Sequence, residues 1–284
     1  MAVQNSLVQK KTSRLGLTAY LTQDAVKDQI NKVVGGKDGQ RFISAIISAT
    51  TANPALQECS NQSILSGALL GESLKLSPSP QLGQYYLVPY NERDKGKVAQ
   101  FQLGYKGYIQ LAIRSGQYKK LNVLAIKEGE LIRFDPLNEE IEVQLIADEE
   151  EREKAVTIGY YAMFEYVNGF KKALYWSKAK MEAHALKYSP GFASDRKKGT
   201  AYTFWSKDFD GMAYKTMLRQ LISKWGIMSI EMATALDADY AVINEDGTKN
   251  YVETEADFIE GESTEIPAEN TENSDAESAL FHKE

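Results

Sequence analysis

The segment 157-TIGYYAMFEYVNGFKKALYW-176 decides the fold class. Two runs rich in aromatic and branched residues, 157–167 and 170–176, flank Asn168-Gly169. Asn-Gly between such runs is the strongest short hairpin signal, because both residues tolerate the positive φ that a two-residue turn demands. An antiparallel pair is expected here. Upstream, residues 84–156 also read mainly as strands: 85–90 and 98–103 around the charged turn 91–97, then 121–126, 131–134 and 141–146. Tyr108 to Ile113 interrupt them as a short helix expected to end near Gly116. The acidic run 148–151 is expected to be a solvated loop between strands.

On either side the period becomes helical. Val26, Ile30 and Val33/Val34 recur at helical spacing and stop at Gly35-Gly36. Phe42, Ile43, Ile46, Ile47 and Thr50 form a second helix that ends before Pro54. Ser60 is placed to cap a third, through Ile64, Leu65, Ala68 and Leu69 to about Leu76. Residues 177–236 are helical again, with an irregular basic insert at 189–199. The expected fold class is α+β: a helical N-terminal region, a central antiparallel β-sheet of hairpins, later helices, and a disordered acidic tail. The expected division is a flexible arm (1–20), one folded domain (21–236) and the tail (237–284).

Charge separates the same regions. The formal net charge is −6, yet residues 237–284 hold 15 Asp/Glu and 2 Lys, whereas residues 1–236 hold 24 Asp/Glu and 31 Lys/Arg. An electropositive body of this kind attracts polyanions. No run of about 18 apolar residues exists, so no membrane span is expected, and the N-terminus lacks an apolar signal core, which points to the cytoplasm. Cys59 is the single cysteine and His184 and His282 the two histidines, so no Cys/His zinc site is expected. Neither a P-loop nor a G-x-G-x-x-G string occurs, so work on nucleic acid would proceed without nucleotide hydrolysis. Asp135, Glu139, Glu140 and Glu142 are the best cluster for a metal-dependent nuclease, but they alternate with Ile141 and Val143 as the solvated face of a strand does.

The segment 200-TAYTFWSKDFDGMAYKTMLRQLISKW-225 carries the strongest binding signal. Tyr202, Phe204, Trp205 and Phe209 precede a helix with Lys215 and Arg219 at i and i+4, hence on one face. Tyr214, Leu218, Leu221 and Trp225 form a separate apolar stripe. Flat rings beside a row of cations suit single-stranded nucleic acid. The bland alternative is an amphipathic helix with a solvated basic face. His184, between Lys180 and Lys187, reads as a surface or DNA-edge histidine.

Three blocks then stand in order: 77-SPSPQLGQYYLVPY-90, 101-FQLGYKGY-108 with Arg114-Ser115-Gly116, and 205-WSKDFDGMAYKT-216. Over about residues 20–235 the chain resembles the RecT family of phage single-strand annealing recombinases, related in design to the phage lambda Red beta protein. The resemblance implies an α+β, phage- or prophage-encoded recombinase of the bacterial cytoplasm that is not an enzyme. Such a protein binds single-stranded DNA and holds the annealed duplex without ATP, as a homo-oligomeric ring or helical filament. It also implies a phage exonuclease and the host single-strand-binding protein as partners, with magnesium supporting DNA binding or annealing but no dedicated metal site. Carried over by block, Lys106 contacts phosphate, with Tyr105 beside it and Gly104 and Gly107 admitting the strand, and Arg114 contacts a further phosphate. Lys215 and Arg219 line a groove with Lys207 at its rim, Tyr202 and Phe204 stack on bases, and Trp205 is core. Arg196, Lys197 and Lys198 form a flexible cationic loop for the incoming strand, and residues 22–76 supply protomer contacts. The competing readings are a protein that protects single strands without annealing them, a metal-dependent nuclease and a phage structural protein. The acidic tail either competes with DNA, docks a partner through Ala279-Leu280-Phe281, or keeps the chain soluble.

Overall fold

The computed structural model describes residues 15–35, 37–92 and 96–251. The N-terminal helices are α1 (Leu17–Leu21), α2 (Asp24–Val34), α3 (Gly39–Ala52) and α4 (Asn61–Ser73), with a 3-10 turn at Pro54–Glu58. Gly35, at φ 84°, ends α2, and the Ser63 amide donates to Ser60 Oγ to cap α4. The chain continues through β1 (Tyr85–Glu92), β2 (Gly96–Leu103), α5 (Tyr105–Arg114), β3 (Tyr118–Lys127), β4 (Leu131–Asp135), β5 (Glu140–Val143) and α6 (Glu149–Lys154). It then forms β6 (Thr157–Tyr166), β7 (Lys171–Ser177), α7 (Lys178–Tyr188), α8 (Pro190–Lys198), α9 (Phe204–Lys207), α10 (Phe209–Trp225), α11 (Ile230–Ala238), β8 (Ala241–Ile243) and β9 (Lys249–Tyr251).

The Asn168-Gly169 hairpin forms as the sequence predicts. β6 and β7 pair from Gly159↔Ser177 to Glu165↔Lys171, and Gly169 takes φ 88° in the turn. With β3 they make a three-stranded antiparallel sheet. A second sheet runs β1-β2-β8-β9, and β4-β5 is a separate ribbon. Helix α10 packs on β3, β6 and β7 and beside α5, while α4 packs on β2. The core is continuous between the helices and the two larger sheets. Tyr85 stacks on Phe101 at 5.1 Å, and Tyr108, Tyr160 and Phe164 are fully buried. Burying a side chain such as Phe101 or Phe164 contributes about 1.5–3 kcal/mol.

The structure differs from expectation in three stretches. The acidic run at 148–151 is no loop: Asp148 accepts from the Glu151 amide and caps α6, whose first-turn glutamates complement the helix dipole. Arg152 of this helix bonds buried Glu130 at 2.6 Å. Burial opposes ionisation of Glu130, but bonds from Arg152 and from the Lys127 and Ile146 amides outweigh it and hold its carboxyl below the usual range. The same bonding shortens β5, because the Gln144 amide turns to the Glu130 carbonyl and that of Ile146 to its carboxylate. The basic insert at 189–199 is α8: Ser189 caps it, Pro190 occupies its first turn and Gly199, at φ 67°, ends it.

The expected domain boundaries also move. The tail boundary at Asp237 falls inside folded structure, for α11 runs to Ala238 and β8 is buried at all three positions, pairing through Ala241 with Phe101 of β2. The arm likewise yields to α1 from Leu17. Residues 1–14 and 252–284, which carry the rest of the arm and tail, lie outside the described residues.

Candidate nucleic-acid interface

One wall of a groove of about 690 Å³ is the β1-β2 pair, through Pro89, Tyr90, Gln100 and Gln102. α7, α9 and the link between α8 and α9 contribute His184 and Tyr188, Phe204, and Tyr202 respectively. Lys207 and Tyr240 also line it. Rings from β1 and from the 184–204 region therefore line it together. Tyr202 is 80% exposed, and Phe204 is partly exposed and packs on Tyr86 at 5.5 Å. Trp205 also borders the groove but is buried against Phe209 at 5.1 Å, as expected of a core residue.

A buried carboxylate fixes the aromatic wall. Asp195, in α8, accepts from Thr200 Oγ1 at 2.6 Å and from the amides of Tyr202 and Thr203 at 3.0 and 2.8 Å. It also accepts from Thr203 Oγ1 and Ser206 Oγ, each at 2.8 Å. The Thr200 hydroxyl, and then the other donors, hold its carboxyl far below the usual range. The segment carrying Tyr202 and Phe204 is thus tied back to α8 by its own backbone.

A second buried carboxylate lies under Tyr240. Asp239 bonds Lys215 Nζ at 3.0 Å and Arg219 Nη1 at 2.7 Å, and accepts from the Leu103 amide at 2.9 Å and Tyr108 Oη at 3.3 Å. Burial pushes the Tyr108 hydroxyl far above its ordinary value, so it remains a donor. Lys215 Nζ lies 4.1 Å from the Tyr240 ring centroid. Tyr240 itself takes φ 68°, held by its amide bond to the Phe101 carbonyl and by Gln100 Nε2 bonding its carbonyl.

The predicted site residues are distributed unevenly over this framework. Tyr202, Phe204 and Lys207 meet in the groove. Lys215 and Arg219 do not line it: they are 4% and 9% exposed, because Asp239 draws both inward. Lys106 is exposed on the first turn of α5, 6.0 Å from the Tyr105 ring, with its stem beside Gly83. Tyr105 is half-buried edge-on to Tyr214. Gly104 and Gly107 admit the protein's own backbone rather than a ligand, since a Cβ on them would fall on the carbonyl oxygens of Gly83 and Gln84. Arg114, at the end of α5, reaches the Gln110 and Lys75 carbonyls at 3.3 and 3.5 Å. Arg196, Lys197 and Lys198 are exposed in the last turn of α8 instead of in a loop, and Arg196 pairs with Glu182 at 2.6 Å. Three of the four acids weighed for a nuclease are occupied locally: Asp135 organises its turn through Leu137 and Asn138, while Glu139 and Glu140 pair with Lys172 and Arg133.

Reading the sequence missed Tyr90, Tyr188, Asp195 and Tyr240 as parts of this site. Asp195 left a faint signal, an acid followed by Thr200, Thr203 and Ser206 in a stretch with few other partners for them. Tyr90, Tyr188 and Tyr240 are far apart in the chain and left none.

A family model described as RecT family matches residues 40–256. The chain belongs to the RecT family. It is 41% identical over 246 residues to the uncharacterized protein YqaK of Bacillus subtilis (strain 168), covering 86% of this chain and 78% of that one. It is 29% identical over 225 residues to Protein RecT of Escherichia coli (strain K12), covering 78% and 79%. RecT-family membership supports a function in DNA recombination by single-strand annealing, with single-stranded DNA as ligand and self-assembly implied. Among the described residues, no helix is long and apolar enough to cross a membrane.

Proposed function

We propose that the groove between the β1-β2 pair and α7–α9 holds one DNA strand, and that the protein pairs this strand with its complement without nucleotide hydrolysis. The observation that carries this reading is the exposed pair of rings, Tyr202 and Phe204, lining one groove together with Tyr90 and Lys207. Contacts to phosphates and ring faces are independent of sequence, as annealing of any sequence requires. Lys106 and the α8 cations Lys197 and Lys198 extend the phosphate track beyond the groove, and Arg114 and Arg196 contribute charge at its ends. Lys215 and Arg219 act from beneath, adding positive potential under Tyr240 rather than touching DNA. One protomer offers few such contacts, so tight binding comes from successive protomers on one strand in a ring or helical filament. An exonuclease that produces single strands and the host single-strand-binding protein fit as partners. Magnesium assists by screening the phosphates of two approaching strands.

The test mixes the protein with a labelled oligonucleotide, then adds its complement or an unrelated strand, with and without ATP. The expected result is faster pairing than bare DNA, unaffected by ATP. Tyr202→Ala should lose on the order of 1–3 kcal/mol of strand affinity. Lys207→Ala should flatten the log K against log salt slope by about 0.7 per bound protomer. Binding without faster pairing would reduce the protein to a single-strand protector, and cleavage of the label would restore the nuclease reading.

A further inference from the structure

The chain carries a polyanion of its own. Residues 252–284 hold 11 Asp/Glu against the single cation Lys283. We propose that this acidic segment docks in the groove and competes there with single-stranded DNA. The inference rests on the groove being the DNA site.

Three observations favour this occupant. The first is where the chain leaves the folded body. β9 pairs antiparallel with β8 in the register Ile243↔Lys249, Val242↔Asn250, Ala241↔Tyr251. The last described residue therefore runs back toward Tyr240, which lines the groove, from a strand about 5 Å away. The second is charge. Lys207 stands at the rim, and under Tyr240 two cations share the single carboxylate of Asp239, leaving one positive charge in excess. Attraction for an acidic chain is strongest at such a place. The third is chemistry. The stretch 253-ETEADFIE-260 sets carboxylates on both sides of Phe258, as a nucleic acid strand sets phosphates on both sides of a flat base.

Reach is not limiting. Thirty-three residues can span at most about 110 Å, and tethering gives an effective concentration on the order of millimolar. Weak intrinsic docking therefore suffices to discourage short or isolated DNA contacts. A long strand that engages many protomers at once overcomes it. The segment would thus raise the length of DNA needed for stable loading without changing the groove.

The experiment uses the full-length chain with every Asp and Glu from 253 to 277 changed to Asn or Gln, beside the native chain. At low salt the neutralised chain should bind a short labelled oligonucleotide about tenfold more tightly, and the difference should close as salt screens the segment. In the native chain, carbodiimide should link Lys207 to a peptide from 252–284, and added oligonucleotide should abolish that link. Equal affinity of the two chains, or no such link, overturns the inference. Tyr202→Ala and Lys207→Ala are introduced into the neutralised chain as well. If they weaken its DNA binding, the groove reading stands whatever becomes of the acidic segment. If they do not, the groove reading fails and takes this inference with it.

Discussion

Two buried carboxylates govern what the surrounding residues can do. Among the described residues, Asp239 is the sole side-chain acid bonding both Lys215 and Arg219, and its side chain is fully buried. Removing one partner of a buried ion cluster leaves charge uncompensated in low dielectric, which costs about 3–5 kcal/mol. Asp239→Ala should therefore lower the unfolding free energy by that much, measured by urea titration, and a loss under about 1 kcal/mol would refute the hub. Asp195 makes a different prediction, through pH. Its folded carboxyl titrates far below the unfolded value of about 3.9. A depressed folded value contributes stability above the unfolded value and loses it as pH falls toward the folded one. Asp195→Asn abolishes that contribution and also turns an amide toward the Tyr202 and Thr203 donors. The stability gap between wild type and Asp195→Asn should be full at about pH 5–7 and narrow below about pH 4. Urea midpoints measured across this range check it, and a gap independent of pH would remove the carboxylate from its role.

At the scale of elements, legibility followed how local each cause was. The hairpin at Asn168-Gly169, the Ser60 cap and the Gly35 stop are written within a few residues, and each forms where the sequence places it. The sequence also contained signals for α6 and α8, an Asp148 cap with Glu151 three residues on and Ser189-Pro190 ahead of a closing Gly199. There, charge and polarity look like solvated loop but serve helix ends. β8 could not be read at all. Three apolar residues among acids look like tail, and only Phe101, 140 positions earlier, makes Ala241 an inner-strand residue. Gly107 shows the same dependence on distant sequence. Its function in α5 is to let the helix start close under residue 84, since a Cβ there would meet the Gln84 carbonyl oxygen and Leu103 Cδ1. Gly107→Ala is expected to cost about 1–3 kcal/mol by overpacking, read as a lower melting temperature. The same substitution at Gly129, where a Cβ meets nothing but φ is 86°, involves backbone strain alone.

For the whole molecule, the sequence shows which aromatic residues gather better than which way the cations turn. The aromatic residues and lysine at 202–207 read as one binding surface, and Tyr202, Phe204 and Lys207 line one groove. The paired cations 215 and 219 announced its floor, yet they are buried, because helical spacing shows that two residues share a face and not which way that face turns. What decides the direction is Asp239, in a region whose acidity made it resemble a tail. This gives the molecule a boundary that two shortened chains can locate. A chain ending at 251 keeps α11, β8, β9 and Asp239, so it should melt close to the full-length protein. A chain ending at 236 loses Asp239, worth about 3–5 kcal/mol to the cluster it neutralises. It also loses buried Val242 and Ile243, worth about 1.5–3 kcal/mol each, and uncovers the β2 edge. Their sum is comparable with the whole stability of a typical domain, about 5–15 kcal/mol. The chain ending at 236 should therefore fail to melt cooperatively. Equal melting of the two chains would mean that the folded body closes before Asp237 and that the β8 pairing contributes nothing to it.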